Sequence, residues 1–166
     1  MRRLAWRFLG AAVVFLVCGT AALADNAPAA TGPLGESRAD IAARYGPVLR
    51  HNARVRHHQI LEGGSALDGD LYQKNGIIVR VVFLADHAAL LEYTKGAGAL
   101  TIDDANSLLA LSAAGFTWDL GKDSTDTNRS YRRSDNRAIA QWTADFDGSL
   151  LIASEDAGAL WEKLLK

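Results

Sequence analysis

The 166-residue chain has one Cys, Cys18, and three Pro. A single thiol excludes a disulfide framework within the chain and a Cys-based zinc site. Neither sign of charge dominates: 18 Lys+Arg stand against 19 Asp+Glu. That balance argues against a strongly basic nucleic-acid binder. Residues 8–23 form the main apolar run, short for a membrane span of about 20 residues. No Gly-x-Ser-x-Gly, His-Glu-x-x-His or phosphate-binding loop occurs, so the usual motifs of those chemistries are missing. What is present, 49% hydrophobic and 22% charged residues, is the make-up of one ordinary globular domain.

The first 24 residues read as a secretory signal peptide. Arg2, Arg3 and Arg7 make a positive start, and no acid precedes Asp25. An apolar stretch follows, and Ala22-Leu23-Ala24 ends it as an A-x-A cleavage site. Cleavage after Ala24 removes Cys18 and three Arg, leaving a more acidic chain without a thiol nucleophile. The expected location is periplasmic or secreted. Phe15-Leu16-Val17 ahead of Cys18 does not provide the small residue a lipidation site uses. Residues 25–35, DNAPAATGPLG, read as a flexible tether.

The remaining chain, 36–166, reads as an α+β domain. Ser37 and Asp40 have capping-box spacing at the start of a short helix, and Gly46-Pro47 stops it. Asn75-Gly76 between apolar runs marks a hairpin. Thr101 and Asp104 cap a second helix. Strands are expected at 71–74, 77–85, 88–94, 116–120, 130–133, 137–144 and 149–153. Ala157, Leu160, Trp161 and Leu164 form the apolar stripe of a C-terminal helix. Tyr72 and Tyr131, Phe83 and Trp142, and Asp86 and Asp145 recur at one constant spacing, with Leu90 and Leu150 one residue further apart. The expectation is therefore two tandem helix-plus-antiparallel-sheet units, 36–95 and 100–166, with a C-terminal helix.

Gly35-Glu36-Ser37, then Ile41, then Gly46-Pro47, resembles the helix-plus-strands module of small outer-membrane assembly lipoproteins of the SmpA/OmlA type. Two such modules in tandem form the fold of the β-lactamase-inhibitor proteins. In that family the Pro stands one residue further from the Gly. The resemblance implies an exported α+β binding module of the envelope and carries no catalytic residue with it.

The densest local feature is 50–58, RHNARVRHH, with three Arg, three His and no acid. Arg50, Arg54, Arg56, His57 and His58 are candidate groups for an anionic partner, such as an envelope protein or another anionic envelope component. Adjacent His57 and His58 on a strand would point to opposite faces and chelate poorly. His51 and His87 could complete a metal site only if the fold brings them close. Arg132 and Arg133, in a second basic cluster around Tyr131, are further candidates. A solvated edge strand explains both clusters as well. Gly96-Ala97-Gly98 reads as a connector, because Thr101 stands where a dinucleotide fingerprint has its third Gly. Asp145-Phe146-Asp147-Gly148 reads as a turn without the further ligands of a calcium loop. Glu62 and Glu92 could form a carboxylate pair, although nothing in the sequence places them together. Trp118, Trp142 and Trp161 read as core. No cofactor, no metal and no nucleic acid is expected. The leading function is a non-enzymatic binding or assembly module of the periplasm or cell envelope. The alternative is a small extracytoplasmic hydrolase or metal-binding protein using His57 and His58 with nearby carboxylates.

Overall fold

The computed structural model describes residues 32–54, 68–145, 147–155 and 157. Ser37 and Asp40 close a reciprocal capping box at the start of α1 (Arg38–Tyr45): the main-chain N–H of each donates to the other's side chain at 3.3 Å. Two of the N–H groups that a helix start leaves without intrahelical partners are thereby satisfied. Gly46 ends α1 at φ +96°. Thr101 and Asp104 form the same box at the start of α2 (Ile102–Leu111).

The strands are β1 (Arg50–Arg54), β2 (Asp68–Lys74), β3 (Ile77–Leu84), β4 (His87–Lys95), β5 (Trp118–Leu120), β6 (Asn128–Arg133), β7 (Ala138–Thr143) and β8 (Ser149–Ser154). They make one antiparallel sheet in the order β1-β2-β3-β4-β8-β7-β6-β5. Asn75 and Gly76 both take positive φ, 51° and 79°, which is the backbone of a tight two-residue hairpin turn.

This corrects the expected fold class. Two tandem helix-plus-sheet units with a C-terminal helix would each keep their own sheet. Instead β4 and β8 pair directly, from Leu90↔Ala153 to Tyr93↔Leu150, and the ladder runs unbroken through all eight strands. The described residues form an eight-stranded antiparallel sheet with two short helices, α1 and α2. The reason lies in the strands themselves. β4 and β8 are apolar on both faces and buried along most of their length. Such strands belong in the middle of a sheet, and joining them removes two open edges. The expected C-terminal helix falls almost wholly outside the described residues. At its start the Ala157 N–H donates to Ser154 Oγ at 3.3 Å.

The recurring pairs also sit differently. Tyr72 faces Val79 and Tyr131 faces Ala140, so the β6–β7 connection is two residues longer than Asn75-Gly76. Trp142 is therefore level with Val81, not with Phe83. A slip of two keeps a side chain on its face, whereas a slip of one reverses it. Leu150 accordingly matches Leu91, on the face opposite to Leu90.

One sheet face carries α1 and α2. Ile41 of α1 and Ala105 and Leu109 of α2 pack on Tyr72, Val79, Val81, Leu91, Tyr93, Trp142, Leu150 and Ile152. Burying each large apolar side chain contributes about 1.5–3 kcal/mol. Trp142 Nε1–H donates to Leu100 O at 3.1 Å, and Trp118 Nε1–H to Leu109 O at 2.9 Å, so both indoles are tied into the core. Gly32 and Pro33 are buried, and a Cβ on Gly32 would meet Ser112 O at 2.8 Å. The second face holds a smaller apolar cluster of Val82, Ala89, Leu90, Leu151, Ala153 and Ala157.

Candidate functional site

Strand alternation decides which charges meet. On β6, Ser130 and Arg132 project to the face opposite α1 and α2, with Gln141 and Ile139 of β7 and Leu151 and Ala153 of β8 in register beside them. These residues line a groove of about 400 Å³, within the range of small-ligand sites. Ile139, Leu151 and Ala153 give it an apolar floor. Ser130, Arg132 and Gln141 give it polar groups, and Gln141 Nε2–H is held by Asn128 Oδ1 at 3.0 Å. Arg132 is exposed. Asp119 stands opposite it in register without closing an ion pair within 4.0 Å.

Arg133 points the other way and is spoken for. It is buried, makes two 2.9 Å bonds to the Asp135 carboxylate, and lies 5.3 Å from the centre of the Phe116 ring. The Arg133 guanidinium holds the Asp135 carboxyl below its usual range. Arg132 and Arg133 thus have separate roles, one at the groove and one in the fold.

Arg50 is exposed on β1 opposite Leu71, which puts it on the same face as Arg132. Six strand spacings of about 4.8 Å separate them, about 29 Å along the sheet. The main chain of Arg54 is in β1 opposite Asp68. Arg56, His57, His58 and Glu62 lie outside the described residues. Between Arg50 and Arg132 the face is crossed by a buried ion pair, with Arg80 Nη1 3.1 Å from Glu92 Oε2. Glu92 is a partner of Arg80.

A second polar cluster gathers where α1 begins. Asp70, almost buried on β2, accepts from Arg38 Nη1 with one oxygen. Its other oxygen is 2.8 Å from His51 Nδ1, whose N–H donates to it. Arg38 Nε also reaches Asp86 Oδ1 at 2.9 Å, and its guanidinium lies 4.1 Å over the Phe83 ring. The Tyr72 hydroxyl is buried with no hydrogen-bond partner within 3.5 Å among the described residues, and burial, then the Asp70 charge, raises its pKa. His51 is 72% exposed, so its second ring nitrogen faces water. His87 is not part of this cluster: its Nδ1 is 3.0 Å from Gly35 O. Among the described residues no group of three or more His, Cys, Asp or Glu is placed to hold a metal ion.

The sequence marked Arg132 but not the groove, because the β7–β8 pairing that supplies its floor is set by the whole sheet. It missed Asp70 as the shared partner of His51 and Arg38. The spacing of Arg38, His51 and Asp70 carries no local signal, since α1, β1 and β2 are brought together only by folding.

Among the described residues no helix is long and apolar enough to cross a membrane. Comparison of the chain with protein-family models, curated proteins and solved structures finds no match.

Proposed function

We propose that this protein is an exported, non-catalytic binding or assembly module of the periplasm or cell envelope. Its sheet face opposite α1 and α2 holds an acidic partner through Arg132. The observation that carries this reading is an exposed guanidinium with no ion pair among the described residues, at the rim of a part-apolar groove. An unneutralised cation beside apolar surface favours a partner with an acidic group next to an apolar one. The leader-like first 24 residues support export. The test is affinity capture from envelope extract at low and moderate salt, with the wild type and Arg132→Gln. A partner lost on raising the salt and lost with the variant agrees with the reading. A partner indifferent to both contradicts it.

A second reading, a small hydrolase or metal-binding protein, draws on the His51–Asp70 pair. A buried carboxylate on Nδ1 leaves Nε2 as a base or a metal ligand. Equilibrium dialysis against zinc tests the metal version: stoichiometric binding lost with His51→Gln supports it.

A further inference from the structure

The sheet has two edges, and they are built differently. β1 carries Arg50, His51 and Arg54 and a register shift between Arg50 and Ala53. Charge and irregular pairing keep an edge strand from accepting another strand. β5 has no Lys, Arg or Pro, and it pairs with β6 without a shift, from Trp118↔Arg133 to Leu120↔Tyr131. Among the described residues no strand pairs with its outer side.

Two bonds fix which backbone groups face outward. The Ser134 N–H donates to Thr117 O at 2.9 Å, and the Gly121 N–H donates to Ser130 O at 2.8 Å. In an antiparallel ladder alternate residues turn to one neighbour. Thr117, Asp119 and Gly121 therefore turn to β6, while Trp118 and Leu120 turn N–H and C=O outward. Exposed apolar surface lies beside this edge. Leu111, Phe116 and Leu120 are 66%, 46% and 55% exposed. Leu111 ends the helix that receives the Trp118 indole bond, and Phe116 lies against Arg133, the register partner of Trp118. On the opposite face of β5, Asp119 is exposed.

We propose that β5 is a docking edge for an extended segment of another protein, with a basic residue facing Asp119 between two apolar residues. Main-chain bonds to Trp118 and Leu120 give the affinity of such strand addition, and alternate side chains give its specificity. The basic residue stands about 5 Å from Asp119 and about 10 Å from Arg132, one and two strand spacings away. A second copy of this chain fits poorly. Antiparallel pairing of two β5 strands about Asp119 sets the carboxylate against its own twin, and like charges directly opposite are unfavourable.

The probe is a capped peptide, Thr-Val-Lys-Val-Thr, with a twin carrying Glu in place of Lys. Each is titrated into isotope-labelled protein while amide shifts and hydrogen exchange of Trp118 and Leu120 are followed. The expected result is slowed exchange at both amides with the Lys peptide and binding a few-fold weaker with the Glu twin. Asp119→Lys is expected to reverse that preference. Leu120→Pro removes an outward N–H while leaving the β6 bonds of Asp119 and Gly121, and is expected to abolish the response. Unchanged exchange at millimolar peptide, or equal binding by Leu120→Pro, overturns the proposal. So does a doubling of molecular mass without peptide, because that places a second copy on the edge.

Discussion

Arg80 of β3 and Glu92 of β4 are register partners whose charged groups meet at 3.1 Å, and both side chains are almost wholly buried, 7% and 0% exposed. The pair lies on the face opposite α1 and α2, between the exposed Arg50 and Arg132.

Removing one member of such a pair takes a charged partner away from a buried ion. Arg80→Met is expected to destabilise the fold by about 3–5 kcal/mol, whereas Arg80→Met with Glu92→Leu costs much less. Urea unfolding checks this as a fall in midpoint with an unchanged slope.

Tyr72 and Tyr93 allow a matched comparison. The Tyr93 hydroxyl is 2.9 Å from that of Tyr45, while the Tyr72 hydroxyl meets no hydrogen-bond partner within 3.5 Å among the described residues. Tyr93→Phe is expected to cost about 1 kcal/mol, and Tyr72→Phe to be neutral or slightly stabilising, because a lost buried bond costs and a lost unbonded hydroxyl does not. The same unfolding curves decide it.

Gly148, at φ +74°, closes the β7–β8 turn against Leu100, where a Cβ would stand 2.3 Å from the Leu100 oxygen. That atom is backbone and cannot swing aside. Gly148→Ala is expected to cost about 2 kcal/mol or more, since strained φ and a backbone clash add. The thermal midpoint reports it.

Asp104 links β4 to α2. Its carboxyl is pushed down to about 2, first by the Lys95 side chain at 2.7 Å and then by the Thr101 hydroxyl and N–H. A folded pKa below the unfolded value gives stability that is present above the unfolded pKa and lost as pH falls toward the folded one. The contribution is therefore expected to be full at neutral pH and to fade between about pH 4 and pH 2. Being largely at the surface, it is small. Carboxyl NMR titration is expected to give a midpoint near 2 in the wild type and a higher one in Lys95→Met.

Local signals made much of the fold readable. Both helix starts stood in the sequence as Ser37 with Asp40 and Thr101 with Asp104, because a capping box spans only three residues. Asn75-Gly76 announced its hairpin for the same reason. What local spacing did not contain was the β4–β8 seam. Leu91↔Ile152 and Tyr93↔Leu150 join residues far apart in the chain, and an apolar strand does not say which other strand it will bury. The site followed the same rule. The sequence grouped Arg132 and Arg133 in one basic cluster, and only the folded sheet gave Arg133 its Asp135 and Phe116 and gave Arg132 a groove. The basic strip was readable as composition, and its division into structural and available charge was not.

The most direct measurement of the binding account is site-specific photo-crosslinking in cells. A photoreactive residue replaces Ser130, exposed in the groove, or Asp103, on the first turn of α2. The expected result is an adduct of defined mass from position 130, none from position 103, and loss of the adduct when Arg132→Gln is added. No adduct at 130, or one that persists without the Arg132 charge, would contradict the assignment of this face as the partner-binding surface.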